Sequence, residues 1–216
     1  FGHIRTYSDI FGHIRTMCQH IRTYTDHIRT VFGYMRKNAS TTEFRAILQK
    51  LQAEFGDSVE MMLCDMSDLD NIEKLHAEYS AKFDRLDVLF NNAGAMWGKR
   101  YRTTQGHEMT FGVNHLGYFE MTRTFLPLIK TTEGSRIINT ASVAHRMAHL
   151  RLDNLNHENK WYNQWRTYGN SKLCNILFTR ELARHLEGTD IITHCFHPGV
   201  VRTRFGSGAS GLVWLF

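Results

Sequence analysis

Short apolar, β-rich runs alternate with longer amphipathic stretches along this chain, and no other feature limits its fold so tightly. The runs are residues 31–35, 59–64, 86–90, 136–140 and 191–196. Each is bounded by small or polar residues, as buried parallel strands are. Helical stretches are expected over residues 40–55, 68–83, 104–130 and 168–186. Ser40-Thr41-Thr42-Glu43 reads as a capping box and Gly56 as the stop of the first of these. Pro127 ends or kinks the third. Strands alternating with helices in this way make βαβ units, and so a doubly wound parallel sheet of the Rossmann-like α/β class. Right-handed crossovers then put helices on both faces, and ligands bind beyond the carboxyl ends of the strands.

Several residues with useful chemistry fall where such a site belongs. Asn91-Asn92-Ala93-Gly94 follows the strand at 86–90, and its small residues allow a ligand close to the backbone. Ser142 lies just past the strand at 136–140. In Tyr168-Gly-Asn-Ser-Lys172 a phenol and an ammonium are four residues apart, one above the other on a helix. The cation is expected to draw the phenol pKa down from about 10, which suits a group that exchanges a proton with a substrate oxygen. Two amphipathic residues on a half-exposed helix would share that spacing, so the pair alone decides little. Asn114 stands inside a helical stretch, where asparagine competes for backbone hydrogen bonds and marks a local kink. A hydrolase built on Ser142, with His145, His149 and Asp153, is the weaker alternative, since no Gly-x-Ser-x-Gly elbow surrounds the serine.

Taken in order, Asn91-Asn92-Ala93-Gly94, Val113-Asn114-His115, Asn139-Thr140-Ala141-Ser142, Tyr168 with Lys172, and His197-Pro198-Gly199 resemble the short-chain dehydrogenase/reductase family. The flanks Arg180-Glu181-Leu182-Ala183-Arg184 and His197-Pro198-Gly199-Val200-Val201-Arg202-Thr203 resemble its retinol-dehydrogenase-like branch. The resemblance implies an oxidoreductase interconverting an alcohol and a carbonyl on a small lipophilic, retinoid- or steroid-like substrate. It implies Tyr168 as general acid/base, Lys172 as the residue tuning it and holding the nicotinamide ribose, Ser142 on the reacting oxygen, and Asn114 fixing a water. It further implies a dinucleotide held by Asn92, Ala93, Gly94, Tyr168, Lys172, Pro198 and Gly199, with Asp65 at the adenine. Arg36 follows the first strand, and a guanidinium there suits the 2′-phosphate of NADP, favouring NADP over NAD. Homodimerisation through the helices at 104–130 and 168–186 is a further implication.

One departure from the family pattern is plain. Its Thr-Gly-x-x-x-Gly-x-Gly phosphate-binding turn is not found ahead of Arg36, where the glycines would let a pyrophosphate approach a helix N-terminus. Residues 1–30 instead repeat His-Ile-Arg-Thr at 3–6, 13–16, 20–23 and 27–30. We read 1–30 as a disordered or artefactual leader and 31–216 as a partial Rossmann-like domain, short also of the family's final strand and helices. A non-catalytic remnant of the same fold, no longer binding dinucleotide, is the alternative reading.

Charge narrows the partners. Of the formal +5, residues 1–37 carry +4 and the remainder +1, so no nucleic-acid surface is expected. Cys18, Cys64, Cys174 and Cys195 form no C-x-x-C pair, and neither they nor the repeated histidines suggest a metal site. No run reaches the ~18 apolar residues of a transmembrane span, which points to a cytoplasmic protein, although the branch it resembles includes membrane-associated members.

Overall fold

The computed structural model describes residues 30–34, 48–50, 52–54, 56, 59–158 and 161–199. The repeat at 1–29, Arg36 and the capping box at 40–43 lie outside them. Backbone contacts divide the described residues into two units, one up to Asp65 and one from Met66.

In the first unit, β1 (Thr30–Tyr34) and β2 (Val59–Leu63) pair in parallel, from Thr30↔Val59 to Tyr34↔Leu63. Residues 48–50 and 52–54 between them are helical. Gly56 has φ +64°, the left-handed turn that favours glycine at a helix end. Strand, helix and parallel strand make one βαβ unit.

The second unit holds a parallel sheet in the order β3-β4-β5: β3 (Val88–Asn91), β4 (Arg136–Thr140) and β5 (Ile192–Phe196). Its helices are α1 (Leu69–Ser80), α2 (Met109–Phe111), α3 (Gly117–Lys130) and α4 (Gln164–His185). The fold is α/β and Rossmann-like. Asp68 caps α1 by accepting from the Asp70 amide at 3.2 Å. Ile72, Leu75 and Tyr79 of α1 are buried, and Tyr79 meets Phe125 of α3 edge-on at 5.5 Å. The helices α1 and α3 pack together, α3 packs on β3 and β4, and α4 packs on β4 and β5 as well as on α2. That chain of contacts makes one continuous helical layer over the sheet.

A buried polar ladder ties strands to helices. Asn91 Nδ2 donates to Asn139 Oδ1 at 2.9 Å across the β3–β4 register and to Thr122 Oγ1 of α3 at 3.1 Å. Asn139 Nδ2 donates to Thr179 Oγ1 of α4 at 3.0 Å. Every donor is satisfied within the sheet-helix interface, the condition under which buried amides specify a register rather than cost stability.

Three boundaries differ from the sequence expectation. The helical stretch expected from 104 starts at Met109, because residues 102–108 turn back on themselves through an antiparallel bridge, Arg102↔Glu108. Pro127 does not end α3, which runs on to Lys130. The last long helix starts at Gln164, not 168, because Asn163 caps it by accepting from the Arg166 amide at 3.0 Å.

Candidate active site

All three strands of the second sheet run the same way, so their carboxyl ends share one edge. Asn92-Ala93-Gly94 leaves β3 there, Ser142 follows β4, and Pro198-Gly199 follows β5. Gly199 has φ +78°. Thr140 Oγ1 donates to Asn92 Oδ1 at 3.0 Å, pinning the first of these turns to the second strand.

Ser142, two residues past β4 and in extended conformation, caps the 3-10 turn Val143–Met147, its Oγ accepting from the Ala144 amide at 3.2 Å. The Ser142 side chain also lies near enough to the Tyr168 hydroxyl to favour its ionised form. Tyr168 packs in a small cluster with Met96 and Ala144, Trp165 lying against it. Gly169 is what brings α4 this close. A Cβ at that position would stand 2.7 Å from the Ala144 carbonyl oxygen and 3.3 Å from the Ala148 nitrogen.

Asn114 does not sit in a regular α-helix. It sits in a π-helical turn, Gly112–Leu116, inserted between α2 and α3. The widened turn aims its carboxamide sideways at the loop after β3. Asn114 Nδ2 donates to the Ala95 carbonyl and Oδ1 accepts from the Ala95 amide, both at 2.9 Å. Nδ2 also reaches Ser171 Oγ of α4 at 3.3 Å. A Cβ at Gly94 would lie 3.0 Å from Asn114 Oδ1 and 3.7 Å from Lys172 Nζ, so a side chain there would press on the Asn114 carboxamide.

Lys172 corrects one expectation. Its Nζ donates to the Thr140 carbonyl at 2.9 Å and lies 5.4 Å and 5.7 Å from the centres of the Tyr118 and Tyr168 rings. Burial without a carboxylate partner brings its pKa down to about 7. Burial likewise raises the Tyr168 pKa, and the Ser142 side chain opposes this only in part. The phenol is therefore held in its protonated form. Two desolvated groups side by side outweigh the attraction that helical spacing alone suggested.

The structure thus brings Asn114, Ser142, Tyr168, Lys172 and Gly94 together. Asp65 lies two residues past β2 in the other unit, and Arg36 lies outside the described residues. Two contributors escaped the sequence reading. Ala95 is the residue that Asn114 grips. Asn175, fully buried, donates to the carbonyls of Asn114 at 2.9 Å and Thr140 at 3.2 Å, and its Oδ1 meets His115 Nδ1 at 3.0 Å. An asparagine in a helix interior was the signal available, the same one that singled out Asn114. The hydrolase alternative finds no support in the Ser142 contacts, for the His145 ring bonds the Ser142 backbone carbonyl at 2.7 Å rather than its hydroxyl.

The small-residue turn Asn92-Ala93-Gly94 at the carboxyl end of β3, with the Lys172 amine near it, fits the nicotinamide end of a dinucleotide. Among the described residues no three metal-ligating side chains cluster, and no helix is long and apolar enough to cross a membrane.

Comparison with known proteins agrees with this geometry. A family model described as short chain dehydrogenase matches residues 29–210. Human retinol dehydrogenase 13 is 42% identical over 142 residues, covering 66% of this chain and 43% of that protein. Human retinol dehydrogenase 11 is 38% identical over 171 residues, covering 79% and 54%. The chain spans about half the length of these relatives. Among solved structures, an uncharacterized protein from Mycobacterium paratuberculosis superposes with TM-score 0.65 at 31% identity, over 78% of this chain and 59% of that one. An alcohol dehydrogenase from the archaeon Thermococcus sibiricus, complexed with 5-hydroxy-NADP, does so with TM-score 0.64 at 22% identity, over 87% and 72%.

Proposed function

The chain belongs to the short-chain dehydrogenase family, and on that premise we propose that it is an NADP(H)-dependent oxidoreductase interconverting an alcohol and a carbonyl on a small lipophilic substrate, retinoid- or steroid-like. The observation that carries this reading is the meeting of Tyr168, Ser142, Lys172 and Asn114 at one sheet edge beside the tightly packed Gly94. The names of the retinol dehydrogenase relatives support the substrate class. The NADP complex among the structural neighbours and the guanidinium of Arg36 support the cofactor, with NAD the less favoured choice.

In this reading Tyr168, protonated at neutral pH, gives its proton to the carbonyl oxygen during reduction and takes it back during oxidation. Ser142 holds the same oxygen by a hydrogen bond and keeps the phenol aimed at it. Lys172, poised at about pH 7, exchanges protons with its surroundings and restores Tyr168 between turnovers. Asn114 holds the Gly94–Ala95 backbone in place. Asn92, Ala93, Gly94, Lys172, Pro198 and Gly199 would hold the nicotinamide half of NADP, with Asp65 at the adenine. When bound, the cofactor supplies the hydride, chemistry that is its own.

Titration of the full chain with NADPH, followed by nicotinamide fluorescence, tests the reading. A saturable rise, with reduction lost in Tyr168→Phe and binding retained, is the expected result. No saturation up to about 1 mM, an affinity weaker than about −4 kcal/mol, would favour the non-catalytic remnant.

A further inference from the structure

Between Tyr168 and Lys172, α4 carries a third polar side chain for which the proposed chemistry has no use. Asn170 is 4% exposed, and all of its hydrogen bonds go to one stretch of chain. Its Oδ1 accepts from the His149 amide at 2.8 Å, and its Nδ2 donates to the His149 carbonyl at 3.2 Å. The same Nδ2 lies 3.2 Å from His157 Nε2. These contacts fix the orientation of the carboxamide, because an N–H can only donate and a carbonyl can only accept. His157 Nε2 must therefore offer a lone pair, which leaves the ring neutral with its proton on Nδ1. An imidazolium would set N–H against N–H.

The segment held in this way runs from Ser142 to the start of α4, so both of its ends are anchored at the site. Leu152, 80% exposed, and Met147, 51% exposed, leave apolar side chains open along it. His157 adopts φ +51°, a left-handed conformation unusual for a residue with a side chain, and its surroundings must hold it there. The groups facing its ring leave it neutral: burial disfavours the charged form, and the nearby charges are Arg100 and Arg166. The neighbouring Glu158 is engaged with Arg102 at 2.7 Å.

We propose that Asn170 is a positioning residue: its carboxamide latches the connection between β4 and α4, one wall of the substrate entrance, onto the helix that carries Tyr168 and Lys172, and the latch closes only on neutral His157. The kinetic consequence rests on the oxidoreductase reading; the latch itself does not.

Three measurements on the full chain test it. In the unaltered protein, 15N spectra at about pH 7, where an ordinary histidine is largely neutral, should show His157 as the Nδ1–H tautomer. An Nε2–H or doubly protonated ring would overturn the latch. Hydrogen exchange at the His149 amide, corrected for intrinsic rate, should accelerate about tenfold in Asn170→Ala, the loss expected when a buried hydrogen-bonded pair is cut. It should accelerate likewise in the unaltered protein as pH falls through the His157 ionisation. Exchange unchanged in both cases overturns it. Should Asn170→Ala fail to fold, Asn170→Asp keeps the oxygen for His149 but turns a carboxylate toward His157, and should convert that ring to imidazolium at about pH 7; a ring that stays neutral counts against the contact.

With a long apolar substrate, Asn170→Ala should raise KM about tenfold with kcat changed less than about twofold, the split expected when a binding contact is lost and chemistry is spared. A fall in kcat alone would remove the entrance assignment. If the chain turns over nothing, the spectra and the exchange still decide the latch, so its failure and that of the redox reading remain distinguishable.

Discussion

Lys172 Nζ donates to the carbonyl oxygen of Thr140 at 2.9 Å, joining the middle of α4 to the last residue of β4. The same oxygen accepts from Asn175 Nδ2 at 3.2 Å. One carbonyl thus sets the position of an amine that has no carboxylate in reach. The amine rests instead against the faces of two tyrosine rings.

An amine buried on those terms costs stability. With its pKa brought down to about 7 by burial, the unfolded chain holds more protons than the folded one between about pH 7 and the ordinary lysine value of about 10.4. Stability should therefore rise with pH across that window and be lowest below it. Lys172→Met should remove the slope and raise stability near neutral pH by roughly 1–4 kcal/mol while ending turnover. Urea melts at about pH 6, below that window, and at about pH 9, inside it, will show whether the slope disappears.

Gly169→Ala should cost roughly 1–3 kcal/mol, because its new methyl meets the Ala144 carbonyl and overpacks the contact between α4 and the turn after Ser142. As that turn shifts, Ser142 moves off the Tyr168 hydroxyl, and turnover should fall by on the order of a hundredfold. NADPH affinity should change little. A variant with unimpaired turnover would show that the turn yields without moving Ser142.

Glu108 is fully buried at the start of α2, where its carboxylate accepts from the Thr110 and Phe111 amides at 2.9 and 2.8 Å and from the Tyr162 hydroxyl at 2.9 Å. Glu108→Ala leaves three donors without an acceptor, an expected loss of about 2–4 kcal/mol. Burial raises the carboxyl pKa in spite of these bonds. The folded state then keeps its proton longer, so the contribution of Glu108 declines as pH climbs past the ordinary value of about 4.3. Thermal melts of Glu108→Gln between about pH 4 and 6, the window just above that value, should lack the decline.

Asn175→Ala should destabilise the fold by roughly 1–3 kcal/mol, since the Asn114 carbonyl loses the donor that the widened π-turn makes necessary. His115 also loses the acceptor facing its Nδ1. Because burial lowers the His115 pKa against that hydrogen bond, its linkage runs in the acid direction: stability is retained above about pH 6.5 and lost as pH falls through the lower folded value. A variant as stable as the parent in denaturant would show that the π-turn holds itself.

The strand Arg136–Thr140 and the glycine turn at Gly56 were legible in the sequence, because each depends on residues within a few positions of one another. Asn114, Ser142, Tyr168 and Lys172 stand at spacings that resemble a known family, and the structure brings the four side chains near one another. The start of the helical region at Met109 was not legible, for it depends on a buried carboxylate and on a tyrosine 54 residues away.

What the sequence determined by itself was the α/β architecture and the order of its motifs, since periodicity, caps and motif order are local properties. What only the tertiary structure decided was how those groups ionise and what holds them. Burial, not helical spacing, raises Tyr168 and lowers Lys172. Desolvation is a property of the atoms packed around a group, and Thr140, Tyr118 and Asn175 reach Lys172 or its carbonyl from three separate elements of the fold.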